Sequence, residues 1–250
     1  MDQKSAAVSP KNSTGPFDVD LEAACGYGIV VEDPKLRWAF IRKVYLILGL
    51  QLLLTSGIAS ALFFIHPVKV FMQTSGGLIT LISVCMLVLA LCGLMMYCRK
   101  KHPWNLALMG LFTLANGSMI GLTCAYEKGV TLLEAAALTE IVTVALTLYT
   151  FWAARRRQDF SFLTPFLFSS LWVLIAFGVI RIIFPMGKWG DLIAGTAGAI
   201  IFSLFIIYDT FNLIKHYGYD DYLEAACALY LDALNFFLAM VQAMDGNVST

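Results

Sequence analysis

Seven apolar runs, each long enough to cross a lipid bilayer, fill this chain between residues 41 and 244. A hydrocarbon core takes about 20 apolar residues of helix. On that measure the spans fall at 41–65, 77–97, 104–125, 131–153, 160–184, 191–213 and 222–244. The breaks between them are short, so neighbouring helices run antiparallel and no soluble domain is inserted. The expected fold class is all-α, a polytopic membrane protein built as a seven-transmembrane-helix bundle over 37–246. A disordered cytosolic tail is expected at 1–36 and a short C-terminal tail at 247–250.

Charge content agrees with that class. Only 14% of the 250 residues are charged and 59% are hydrophobic, whereas a soluble domain is nearer a quarter charged. The formal net charge is zero, which argues against a nucleic-acid partner. Cys25, Cys85, Cys92, Cys98, Cys124 and Cys227 form no CxxC pair, so neither a disulfide framework nor a zinc site is expected. His66, His102 and His216 are too dispersed for a metal centre. No enzyme activity and no cofactor are expected, and no apolar core precedes the first span to act as a signal peptide.

Basic residues set the orientation. Lys35, Arg37, Arg42 and Lys43 lead into the first span; Arg99, Lys100 and Lys101 fill the second loop; Arg155, Arg156 and Arg157 the fourth; Lys215 the sixth. The other side holds only Lys69, Lys128, Lys188 and Arg181. The N-terminus is therefore expected in the cytosol, and an odd number of spans puts the C-terminus across the membrane.

Ionisable groups within the spans are the functional candidates. A charge at the bilayer centre costs between ~2.5 and ~17 kcal/mol. Asp209 and Asp232 sit in the last two spans, each followed three residues later by an asparagine, Asn212 and Asn235, on the same helix face. The two aspartates are level only if the sixth helix runs to about His216 and the seventh starts near Leu223. Level and close, they would share a proton and act as a pH sensor, and they would offer hard oxygens to a divalent cation such as calcium. Structural glue between helices is the plainer alternative. Asn116 is a further intramembrane polar group. Glu134 and Glu140 lie in the fourth span, pointing to opposite-leaning faces, with Glu140 the deeper. Arg99 and Arg181 read as residues that snorkel to the interface.

Ile206-Ile207-Tyr208-Asp209-Thr210 and Leu229-Tyr230-Leu231-Asp232-Ala233-Leu234-Asn235-Phe236-Phe237-Leu238 resemble the closing signature of the transmembrane Bax-inhibitor-motif family. Asp159-Phe160-Ser161-Phe162-Leu163 resembles the family's link between its fourth and fifth helices. The resemblance runs from about Arg37 to Met244 and is nearest to a plant member of the LIFEGUARD branch. It implies a central seventh helix, suppression of cell death and a pH-dependent calcium leak from intracellular stores. It also implies Asp209 and Asp232 as the gating pair, Arg99 as the latch that closes it, and Glu134 as the fourth-helix glutamate. Phe211, where many members carry a polar residue, and a C-terminus without a basic tail depart from the pattern.

The expected partners are the lipid bilayer, calcium as the transported ion, and other membrane or cell-death regulatory proteins. Endoplasmic reticulum or another endomembrane is the expected location, with the plasma membrane as the alternative. Two rival functions stand beside the channel. An intramembrane aspartyl protease also uses two embedded aspartates, but Asp232 follows Leu229-Tyr230-Leu231 and not a Gly-x-Gly. A non-conducting interaction protein that restrains death or receptor signalling is compatible with the whole sequence.

Overall fold

A computed structural model describes residues 34–98, 104–156, 158–184 and 187–247. The tail to residue 33, the Arg99–Lys101 cluster and Arg157 lie outside the described residues. Those described form eight helices and no strand. In chain order they are α1 (Pro34–Phe64), α2 (His66–Met72), α3 (Ser75–Tyr97), α4 (Trp104–Cys124), α5 (Gly129–Arg155), α6 (Leu163–Ile183), α7 (Gly187–Lys215) and α8 (Tyr222–Asn247). All but α2 are long and apolar enough to cross a membrane. The protein is a polytopic all-α membrane protein.

Most helix ends differ from the sequence reading by a few residues, and two differences are larger. The first helix is already formed at Pro34, the first described residue, and not only from 41. The loop after the first span contains the short helix α2, with Pro67 in its first turn. Met72 then meets α3 so tightly that a Cβ on Gly77 would lie 2.4 Å from the Met72 Cα. Thr74 caps α3 by accepting from the Gly77 N–H at 3.3 Å.

Helix α8 is the centre of the bundle, packing against α7, α1, α5 and α4. In α4 and α8, 44% of the most apolar stretch is buried, against 11% in α3, α5 and α6. The last group therefore faces lipid and the first pair forms the interior. Lipid tails are as apolar as leucine, so helices associate through close packing and hydrogen bonds, not hydrophobic transfer. Small residues supply the packing. A Cβ on Gly195 of α7 would come within 2.3 Å of the Ala243 nitrogen on α8. Gly117 and Gly121 of α4 bring its backbone against Thr55 and Ala59 of α1. Buried hydrogen bonds add register: Gln51 Nε2 donates to Thr113 Oγ1 at 3.1 Å, and the Thr55 and Tyr230 hydroxyls meet at 2.7 Å.

Candidate functional site

The α7–α8 hairpin carries the site. Helix α7 ends at Lys215 and α8 begins at Tyr222, which meets the condition for Asp209 and Asp232 to be level. The Asp209 and Asp232 side chains face each other across the hairpin closely enough to interact, with Asn212 beside Asp209 from one turn along α7. Asp232 is buried at 6% exposure, and its Oδ2 has no hydrogen-bond partner among the described residues. Asn235 does not complete a second, matching edge: its amide donates to the Leu231 carbonyl of its own helix at 2.8 Å.

Cavities approach the pair from both ends. At the basic end a cavity of about 410 Å³ is lined by Ser161, Tyr208, Asn212, His216, Tyr217 and Asp221. Asp159 holds this rim by accepting from the Ser161 N–H at 2.8 Å and the Ser161 hydroxyl at 2.6 Å. Those bonds keep its carboxyl below the ordinary range, with His216 adding a smaller attraction. The Thr164 hydroxyl donates to Tyr208 at 3.0 Å, tying α6 to α7 one residue before Asp209. From the opposite end a larger cavity reaches α8 at Ala233 and α5 at Thr143. Between the two, the Tyr45 hydroxyl lies beside Thr210 and Thr147. The hydroxyl oxygens of Tyr45, Thr143 and Thr210 are all buried without a hydrogen-bond partner among the described residues. Buried polar atoms of this kind are the usual seats of internal water.

The sequence reading passed over Arg37, grouping it with the interfacial lysines and arginines. It is 1% exposed. Its Nε donates to the Ile214 carbonyl at 3.0 Å and its Nη1 to the Tyr217 carbonyl, closing the last turn of α7. The guanidinium also lies 5.4 Å from the Phe40 ring centre and 5.9 Å from that of Tyr219. Here the α7–α8 loop is clamped to α1. The only sequence hint was the spacing of Arg37, Phe40, Ile41 and Val44, one buried stripe on the first helix.

Other candidates separate clearly. Arg181, in the last turn of α6, pairs with Asp191 at the start of α7, which also accepts from Gln242 at 3.4 Å. Asn116 is buried and bonds the Phe112 carbonyl of its own helix at 2.9 Å, a structural role. Glu134 and Glu140 are both exposed on α5, and only Glu140 borders the larger cavity. Arg99 lies just beyond the described end of α3, whose packing partners are α4 and α2.

The chain matches the family described as "Inhibitor of apoptosis-promoting Bax1" over residues 37–249, most of its length. It belongs to the Bax inhibitor family. Curated relatives agree. Protein LIFEGUARD 4 of Arabidopsis thaliana is 49% identical over 217 residues, covering 86% of this chain and 87% of the relative. Protein LIFEGUARD 3 of the same plant is 46% identical, covering 87% and 88%. A Golgi anti-apoptotic protein of vaccinia virus is 35% identical over 220 residues, covering 88% and 90%. A plant LIFEGUARD assignment within the Bax inhibitor family fits these similarities. Both signature segments of the family, around Tyr208-Asp209-Thr210 and Leu229–Leu238, line the α7–α8 contact described above.

Proposed function

We propose that the protein is a membrane suppressor of cell death that works as a proton-controlled calcium leak, with Asp209 and Asp232 as the gate. The observation that supports this reading is the set of buried polar groups around the carboxyl pair: the Tyr45 hydroxyl beside Thr147 and Thr210, and Asn212 between Asp209 and the cavity at the basic end. Buried hydroxyls and carboxyls inside a membrane bundle are costly as mere structure, and they suit ion passage.

The donor set fits transit and not residence. Calcium takes about six to eight oxygens. The described residues contain no group of three or more His, Cys, Asp and Glu side chains able to hold a metal. Calcium here is cargo that keeps part of its water shell while passing the carboxyls. When both carboxyls are ionised, Arg99 bridges to them and closes the basic mouth. Protonation weakens that bridge and shifts the population toward an open state. The N-terminus is cytosolic by the basic-residue rule. The membrane is an endomembrane, endoplasmic reticulum or Golgi, the latter being where the viral relative's name puts that protein.

Purified protein in calcium-dye-loaded liposomes tests this reading. Calcium entry above that of empty liposomes is the expected result. No entry at any pH would move the function to the non-conducting interaction protein, with the aspartates as structural glue.

A further inference from the structure

Helices α1 and α5 meet at the basic end, where Trp38 stacks on Phe151 with ring centres 5.9 Å apart. Towards the other end a cavity of about 610 Å³ opens between them, walled by the C-terminal half of α1 and the N-terminal half of α5 and floored by Leu234 and Phe237 of α8. Both walls belong to membrane spans, so the cavity faces the bilayer and is reached from it sideways. Its size falls within the ~300–1,000 Å³ typical of a site for one small molecule.

Glu140 borders this space. It lies about 16 Å along α5 from Gly129, close to the middle of the helix. Among the described residues no hydrogen bond or ion pair satisfies it. A carboxyl at that depth without a partner is expensive. The hydroxyls around it do not donate to it. Ser56 and Thr139 already give their protons to the carbonyls of Leu52, at 2.8 Å, and Ala135, at 2.7 Å. Among the described residues no lysine, arginine or histidine lines the cavity. Thr143 keeps a buried hydroxyl without a partner among them, so the wall holds a spare donor besides its acceptors. The charge on the wall is the Glu140 carboxyl, and the head group that complements it is a cation with donors. Leucine and phenylalanine side chains make up the rest.

We propose that this cavity binds a single-chain lipophilic amine drawn from the bilayer, with its ammonium on Glu140 and its chain against α8. An ammonium brings several donors, enough for the carboxyl and a neighbouring hydroxyl oxygen. In hydrocarbon the pair is stable whichever partner holds the proton, since neither group keeps another partner there. The site is independent of the leak reading, because occupancy is measured without any flux.

The test uses the full chain in phosphatidylcholine nanodiscs, titrated with octadecylamine and read by native mass spectrometry and by competition against labelled octadecylamine. Octadecanol and stearic acid serve as chain-matched probes. The expected result is saturable binding of one amine per chain, with affinity for octadecanol and stearic acid lower by about tenfold or more. Glu140→Gln should weaken the amine by a similar factor, and Glu134→Gln, outside the cavity, should not. Ala136→Phe, which fills the cavity from an exposed position on α5, should abolish binding with the carboxyl still in place. Equal binding of all three probes, unchanged affinity in Glu140→Gln, or non-saturable uptake would overturn the proposal.

Discussion

Arg37 on the first helix donates to the carbonyl of Ile214, 177 residues later, and so fixes the end of α7 against α1. Helix C-termini leave carbonyls without partners, and a buried guanidinium satisfies two of them with one side chain. Replacing Arg37 by alanine exposes both carbonyls to an empty apolar space. The expected loss of stability is about 1–3 kcal/mol for each carbonyl left unpaired. Arg37→Lys, which cannot span both carbonyls with a planar fork, should lose about half of that. Thermal unfolding in detergent or nanodiscs measures both.

Glycine positions separate packing from propensity. Gly195→Ala places a methyl group against the α8 backbone near Ala243, where nothing flexible can yield. Overpacking of this kind costs about 1–3 kcal/mol. Gly49→Ala on α1 meets no atom within 4 Å and should be neutral or stabilising by up to about 1 kcal/mol. Equal effects at the two positions would show that α7 and α8 are not in the described contact.

The Thr55–Tyr230 hydrogen bond couples α1 to the central helix. In a double-mutant cycle of Thr55→Val and Tyr230→Phe, a coupling energy near 0.6 kcal/mol and no more than about 1.7 kcal/mol is expected. Zero coupling would remove this bond from the bundle's register.

Glu127, in the loop between α4 and α5, binds its proton more tightly in the folded protein than its ordinary value of 4.5 implies. Partial burial is the main cause, with the Asp245 and Asp191 carboxyls adding repulsion. A carboxyl shifted upward favours the folded state in full below its unfolded value, and that contribution is lost as pH rises through the folded value. Glu127→Gln should therefore raise the melting temperature at neutral pH, and the gain should vanish near about pH 4. Melting curves across that range decide the point.

Much of the fold was legible because hydrocarbon dictates it. Apolar runs near twenty residues can only be spanning helices, so the number of spans was readable while their ends were not. The α2 turn follows from local geometry that hydropathy does not report. The Asp209–Asp232 pair was legible for a related reason, since a carboxyl inside an apolar run stands out. Arg37 was hidden among other basic residues at the membrane edge. Its burial depends on Ile214 and Tyr217, far away in sequence. Asn235 misled in the opposite way: the repeated Asp-x-x-Asn spacing suggested two equal edges, yet backbone bonding within α8 claims its amide. The pairing of Arg181 was not readable because its partner Asp191 belongs to the next helix.

The central claim is that protonation of Asp209 and Asp232 sets the calcium leak. Calcium entry into dye-loaded liposomes, followed from about pH 6 to about pH 8, tests it most directly when wild type is compared with Asp209→Asn and Asp232→Asn. Wild type should leak more at the acidic end, and both variants should lose that pH response. Flux that keeps the wild-type pH dependence in both variants would contradict the account.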